Sequence, residues 1–143
     1  MALESIVNEL YLPYSPEQVW RALTDSAALA QWLMPNTFEA RVGHRFTFRT
    51  EPVPPYFDGI VNCEVKELDS PMRLAYSWTG GPLVDTLVNY TLRPQGAGTM
   101  LHFEHSGFDT AIPAVRFVKA GLSQGWLGPI FTERLIAAIE MGG

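Results

Sequence analysis

The sequence has little that would mark a secreted, membrane-spanning or nucleic-acid-binding protein. It contains one cysteine, Cys63, so no disulfide framework can form within the chain. Its apolar runs are far shorter than the ~20 residues that a membrane-spanning helix needs, so we expect no membrane insertion. The formal net charge is −5, whereas a nucleic-acid-binding surface is basic. The composition therefore excludes nucleic acid and the bilayer interior as expected partners.

The N-terminus and the overall composition favour a globular protein of the cytoplasm. The first ten residues include Glu4 and Glu9 and no basic stretch, so we expect no signal peptide. Hydrophobic residues make up 47% of the chain and charged residues 17%, which is typical of a folded protein and not of a disordered one. A length of 143 residues predicts a single domain over residues 1–143.

The order of local patterns predicts an α+β fold. After a first strand, Leu3–Leu12, two short helices follow: one is capped by Ser15 with Pro16 in its first turn, the other by Asp25 or Ser26. From Phe38 to Ser106 apolar residues recur with period two, and Gly- and Pro-containing turns divide the segment. The predicted strands form an antiparallel meander: Phe38–Val42, Arg45–Glu51, Gly59–Leu68, Arg73–Thr79, Val84–Arg93 and Thr99–Ser106.

The last segment, Gly125–Glu140, has helical periodicity, and Pro129 fits only the first turn of a helix. Its apolar positions are Leu127, Phe131, Leu135, Ala138 and Ile139. A helix this apolar on one side needs a broad surface, and the aromatic face of the meander supplies one. We therefore predict a curved antiparallel sheet of about six to seven strands wrapped around a long C-terminal helix.

A concave sheet under a covering helix readily leaves a cavity between them. Parity puts the aromatic residues of the strands on one face together with His105, while Trp32, Trp126 and Phe131 come from the helices. Aromatic residues at these spacings are as typical of a plain core as of a pocket lining, so both interpretations stay open. Cys63 on the same face is more typical of a small buried hydrophobe than of a reactive thiolate.

Three patterns suggest chemistry. His105 faces the predicted cavity, where an imidazole can hydrogen-bond a ligand or serve as a general acid or base, but a buried histidine satisfied by a tyrosine hydroxyl or a backbone carbonyl is the commoner case. His102 and His105 stand three apart on a strand and point to opposite faces, so we predict no metal site. Gly121–Gly125 matches the G-x-S-x-G nucleophile motif, but helical sequence precedes it where a buried strand is required, so the match is coincidental.

Six strings in the same order resemble a known superfamily: Pro16–Thr24 (PEQVWRALT), Gln31–Pro35 (QWLMP), Phe38–Phe46, Arg73–Trp78 (RLAYSW), Gly98–Phe108 and Gly125–Trp126. This set is similar to the SRPBCC (START-like, birch-pollen-allergen-like) superfamily, and within it to the homologues of the heat-shock chaperone ATPase activator. The resemblance covers about Ile6 to Glu140 and implies a helix-grip fold. His44 stands where the family usually has a second glycine, and Ile112–Gln124 is more apolar than expected.

What the resemblance implies is a deep apolar cavity that binds a hydrophobic or amphipathic small molecule, lipid-like or aromatic, without a cofactor. It favours the pocket interpretation for the residues of the inner face. The predicted ligand-binding residues are Trp32, Phe46, Phe48, Cys63, Tyr76, Trp78, Leu101, Phe103, His105, Trp126 and Phe131.

Two other functions stay open beside ligand binding. One is an interaction module of the chaperone-activator kind with a role in the stress response, which needs an exposed patch from Tyr56-Phe57 or from Ile112–Val118. Tyr56 and Phe57 are alternatively a lid over the cavity. The other is a cyclase or hydrolase that uses His105. The apolar segment Ile112–Leu122 also suggests a homodimer, because exposed apolar patches often mark interfaces.

Overall fold

The computed structural model describes residues 3–52, 58–81 and 84–142, apart from the side chains of Pro129 and Ile130. Tyr56 and Phe57, predicted as a lid or a patch, lie outside the described residues. In chain order the elements are β1 (Leu3–Leu12), α1 (Pro16–Thr24), α2 (Ser26–Trp32), β2 (Arg45–Arg49), β3 (Ile60–Asp69), β4 (Arg73–Gly80), β5 (Asp85–Gln95), β6 (Gly98–Asp109), α3 (Pro113–Leu127) and α4 (Pro129–Met141).

The strands form one six-stranded sheet in the order β1-β6-β5-β4-β3-β2, with every neighbouring pair antiparallel. Strands β2 to β6 follow one another as a meander, and β1 lies at the far edge beside β6. The sheet is curved and unclosed, and α4 packs with α1 and α2 on its concave side. The predicted α+β helix-grip fold is confirmed.

Alternation along the strands gives the sheet one buried face, as the period-two pattern predicts. The inward side chains are at most 5% exposed, and they are the ones that parity assigned to this face: Phe46, Phe48, Val61, Cys63, Val65, Leu74, Tyr76, Trp78, Val88, Tyr90, Leu92, Leu101, Phe103 and His105.

The helix starts follow from local hydrogen bonding. Ser15 accepts a hydrogen bond from the Gln18 N–H, and the Gln18 side chain accepts one from the Ser15 N–H, which completes a capping box. Asp25 caps α2 by accepting a hydrogen bond from the Ala28 N–H. Both predicted starts are confirmed.

The predicted strand Phe38–Val42 is wrong. The Asn36 side-chain oxygen accepts a hydrogen bond from the Phe38 N–H, and the Arg41 N–H bonds the Glu39 carbonyl two residues back. These local bonds compete with a strand ladder for the same backbone groups. The meander therefore has five strands rather than six, although Phe38 is buried as an apolar residue of a strand would be.

The predicted C-terminal helix Gly125–Glu140 is divided in two. Gly128 has extended backbone (φ −82°, ψ 161°) between α3 and α4, and Pro129 begins α4 without an N–H to continue the ladder of α3. Phe131, Leu135, Ala138 and Ile139 are buried as predicted. Leu127 is not, because it ends α3 and is 51% exposed.

Gly128 is a position where a side chain has no room. A Cβ at this residue would lie 2.5 Å from the carbonyl oxygen of Gln124, in the last turns of α3. A Cβ at Gly121, within α3, would meet no heavy atom within 4 Å.

We expect Gly128→Ala to lower the free energy of unfolding by about 1–3 kcal/mol, because the helix junction must shift to admit the methyl group. Gly121→Ala is the matched control and should raise it by about 0.5–1 kcal/mol, as alanine does in a helix interior. Urea unfolding of both variants measures the difference, and equal effects of the two would contradict the steric argument.

Candidate functional site

The predicted ligand-binding residues all lie in the buried interior, each at most 5% exposed. Their rings pack against one another between the sheet and α4, and Trp126 lies at the centre of this group. The indole centroid of Trp126 is 4.4 Å from Phe103, 5.4 Å from Phe131 and 5.9 Å from Trp78. Tilted and edge-to-face pairs at such separations stabilise a core beyond their buried area. Much of the space beneath the helices is therefore filled by side chains.

An open cleft of about 340 Å³ remains above these rings, where α2, α3 and α4 meet the end of β4. Four of the predicted residues line it: Trp32, Trp78, Trp126 and Phe131. The others that line it come from positions that the sequence analysis did not select: Leu33, Met34, Gly121, Leu122, Gln124, Gly125, Gly128 and Arg134.

The cleft is open because α3 has no side chains at two positions along its wall. Gly121 and Gly125 are four residues apart on the helix, and a Cβ at either would meet nothing within 4 Å. The same two glycines produced the G-x-S-x-G match. The spacing of the two glycines is the sequence feature from which this wall of the cleft could have been predicted. It leaves space beside α3 and does not mark a catalytic serine.

Phe46 and Cys63 border a different hollow, of about 400 Å³, at the polar face of β2, β3 and β4. Thr47, Asn62, Ser77 and Thr79 also line it. Its two charged lining residues, Arg45 and Glu64, pair with each other at 3.6 Å. Although this hollow is larger, Phe46 is the only aromatic residue among the described residues that line it, so the cleft with its four aromatic rings is the stronger candidate for an apolar ligand.

The remaining predicted residues, Phe48, Tyr76, Leu101, Phe103 and His105, line neither space. Tyr76 is bonded through its hydroxyl to the Tyr90 hydroxyl, 2.8 Å away. Burial raises the pKa of both phenols and that of the Cys63 thiol, so all three are neutral and inert at ordinary pH.

His105 is held in one tautomer by a chain of hydrogen bonds. The Trp126 indole N–H donates to His105 Nδ1 (3.2 Å), and an indole can only donate, so Nδ1 carries no proton. The proton is therefore on Nε2, which donates to Thr86 Oγ1 (2.6 Å), and Thr86 donates to the Trp78 carbonyl (3.0 Å). Both ring nitrogens are engaged within the protein.

Burial lowers the pKa of His105 from 6.5 to about 3. A base this weak that is fully buried and hydrogen-bonded on both nitrogens cannot reach a substrate proton. The geometry therefore does not support the general acid or base role considered for His105, which is a buried histidine with hydrogen bonds on both ring nitrogens. Its partners are an indole and a threonine hydroxyl rather than a tyrosine hydroxyl or a backbone carbonyl.

His102, by contrast, lies on the outer face, where its Nδ1 is 3.1 Å from a carboxylate oxygen of Glu9. No group of three or more His, Cys, Asp or Glu placed to hold a metal ion occurs within residues 3–52, 58–81 and 84–142.

A sequence profile of the family described as Activator of Hsp90 ATPase homolog 1-like protein matches residues 13–128. The match covers most of the chain. The protein belongs to this family. The resemblance to the SRPBCC superfamily and its chaperone-activator branch is thereby confirmed.

Solved structures agree with this membership in the activator-homologue family. Protein MLL2253 from Mesorhizobium loti is 32% identical, with a TM-score of 0.82 and coverage of 98% of this chain and 99% of that chain. BH1534 from Bacillus halodurans is 26% identical, with a TM-score of 0.75 and coverage of 95% and 96%.

The Aha1 dimer from Colwellia psychrerythraea is 21% identical, with a TM-score of 0.75 and coverage of 97% and 98%. At that identity the likeness shows the fold alone. No functionally curated protein matches the chain. Among the described residues, no helix is both long enough and apolar enough to cross a membrane.

The pKa of His105 leads to a pH-dependent stability. The unfolded histidine binds a proton below about pH 6.5, whereas the folded one does so only near 3. Between these two pH values the unfolded state therefore binds more protons than the folded state. The free energy of unfolding then falls by about 1.4 kcal/mol for each pH unit below the higher of the two values.

We expect His105→Gln to lose this part of the pH dependence, although it will be less stable than wild type at neutral pH because the chain of hydrogen bonds is altered. Urea unfolding between about pH 7 and about pH 5 measures the slope. The slope of the wild-type protein over the same pH range is the reference. An unchanged slope in His105→Gln would contradict the assignment.

Proposed function

We propose that the protein binds a hydrophobic or amphipathic small molecule in the cleft between α2, α3 and α4. The observation that supports this most directly is the open volume of about 340 Å³ above the rings of Trp32, Trp78, Trp126 and Phe131. Small-molecule sites in proteins are clefts of a few hundred cubic ångströms with aromatic linings and few polar groups.

The floor of the cleft is rigid before any ligand arrives. Trp126 is fixed by its ring contacts and by its hydrogen bond to His105, and Trp32 by a hydrogen bond from its indole N–H to the Ala22 carbonyl (2.8 Å). Side chains that are already ordered lose little conformational entropy on binding, which favours affinity. The ligand would therefore lie against the aromatic floor, displacing water from its surface, and not enter the filled interior.

The geometry supports binding better than turnover. His105, the residue considered for a cyclase or hydrolase, is separated from the cleft by Trp126 and Trp78, with both nitrogens occupied. Ser123 of the G-x-S-x-G match is not among the residues that line the cleft. A binding function needs neither residue to act chemically.

Filling the cleft tests this proposal without disturbing the core. Gly125→Leu and Gly121→Leu place side chains in open space and should reduce binding of the apolar fluorescent probe N-phenyl-1-naphthylamine by about tenfold or more, because the probe and the new side chain compete for the same volume. Fluorescence titration measures the affinity, and native mass spectrometry reports any ligand that copurifies.

Ala120→Leu is the matched control, since Ala120 is an exposed residue of α3 that does not line the cleft. It should bind the probe as wild type does. Equal binding by all four proteins, or no binding by wild type, would refute the proposal.

A second candidate function is an interaction module of the chaperone-activator kind. Its supporting observation is Phe117 on α3, which is 83% exposed, with Val118 beside it at 37%. Phe117 and Val118 together expose apolar surface on α3, and exposed apolar patches often mark interfaces. Because the chain belongs to the activator-homologue family, the partner to test is an ATPase chaperone of the cytoplasm. Such a partner would imply a role in the stress response. The free buried thiol of Cys63 fits that reducing compartment.

We expect Phe117→Ser to reduce any stimulation of an Hsp90-type ATPase several-fold, because it removes the apolar contact while leaving the buried face of α3 intact. Val42→Ser, at an exposed apolar residue outside α3, is the matched control. Steady-state ATPase rates provide the measurement. Light scattering shows whether Phe117 mediates a homodimer instead, and no stimulation by wild type would count against this function.

A further inference from the structure

The cleft has a charged group at its edge that the aromatic floor does not explain. Arg134 lies on α4 three residues after Phe131, so both side chains reach the same face of the helix and both line the cleft. Among the described residues that line the cleft, it is the only charged one. A site built for a neutral apolar molecule has no need of a cation.

Within the part of the chain that the structure describes, no carboxylate lies within ion-pair distance of Arg134. The pairs formed there by lysines and arginines involve Arg41, Arg45, Lys66, Arg73 and Lys119. In a chain with a net charge of −5, a guanidinium without a carboxylate partner at the mouth of an apolar cleft is available for an anion that is not part of the protein.

A second polar side chain that lines the cleft can also donate a hydrogen bond to an anion. Gln124, on α3, also lines the cleft, and its amide can donate a hydrogen bond to an oxygen. Arg134 and Gln124 come from different helices, and both are exposed residues that line the cleft.

We propose that the ligand of the cleft is a flat aromatic molecule with one acidic group, its rings against Trp126 and Phe131 and its carboxylate or sulfonate against Arg134. This proposal rests on the proposed binding function and adds the charge of the ligand. The guanidinium presents a planar fork of donors that fits a carboxylate or sulfonate in a two-point contact. Because Arg134 is exposed, solvent screens the interaction, so the acidic group adds selectivity while the rings supply most of the affinity.

Two probes that differ only in charge test this directly. 1-Anilinonaphthalene-8-sulfonate carries a sulfonate, and N-phenyl-1-naphthylamine is its neutral counterpart. The fluorescence of each dye is compared between wild type and Gly125→Leu. The part of the signal that the variant loses reports binding in the cleft, whereas the part that it keeps comes from dye bound elsewhere, for example at Phe117.

We expect Arg134→Gln to weaken cleft binding of the sulfonate by about three- to tenfold and to leave the neutral probe unchanged. Raising the salt concentration should weaken the sulfonate in wild type and have little effect in the variant. Arg93→Gln makes the same change of charge at an exposed residue outside the cleft and should alter neither probe.

The outcomes separate the two proposals. If neither probe binds, or if Gly125→Leu removes neither signal, the binding function fails and this inference fails with it. If both probes bind in the cleft and Arg134→Gln affects them equally or not at all, the acidic group is refuted while the binding function stands.

Discussion

The packing of Trp126 holds the rest of the site in place. Its ring lies 4.4 Å from Phe103 on the sheet and 5.4 Å from Phe131 on α4, its N–H donates to His105, and its carbonyl accepts a hydrogen bond from Asn8 on β1. One residue therefore joins the end of α3 to α4, to the concave face and to the edge strand. The break at Gly128 separates α3 from α4, and Phe131 near the start of α4 packs against the same indole.

This arrangement divides the aromatic residues into two layers with different roles. The deeper layer, around Tyr76, Tyr90 and Phe103, is closed and has the character of an ordinary core. The upper layer, around Trp32, Trp78, Trp126 and Phe131, lines an open cleft because Gly121 and Gly125 leave space beside it. The choice between core and pocket is therefore made by two residues without side chains on a neighbouring helix, and not by the aromatic residues themselves.

Most of the fold could be predicted from the sequence, because period-two burial and capping boxes are local signals that the final packing does not override. The prediction of a strand over Phe38–Val42 was wrong because Asn36 and the short-range hydrogen bonds after it satisfy the backbone N–H and C=O groups in another way. The residues of the candidate cleft were harder to predict. Trp32, Trp78, Trp126 and Phe131, which line it, were selected by their apolar character, whereas Arg134 and the two glycines were not selected, since their place beside the cleft depends on how α3 and α4 meet. Tertiary contacts determine how the two helices pack, and no periodic pattern in the sequence predicts those contacts.

The position of the tryptophans has a spectroscopic consequence. The chain contains four of them, and Trp32, Trp78 and Trp126 line the cleft, so a molecule bound there would lie close to three of the four indoles. Each of these indoles is also shielded from bulk water by the core around it. Occupancy of the cleft would therefore change the wavelength and intensity of the intrinsic tryptophan fluorescence, which can be measured without a label.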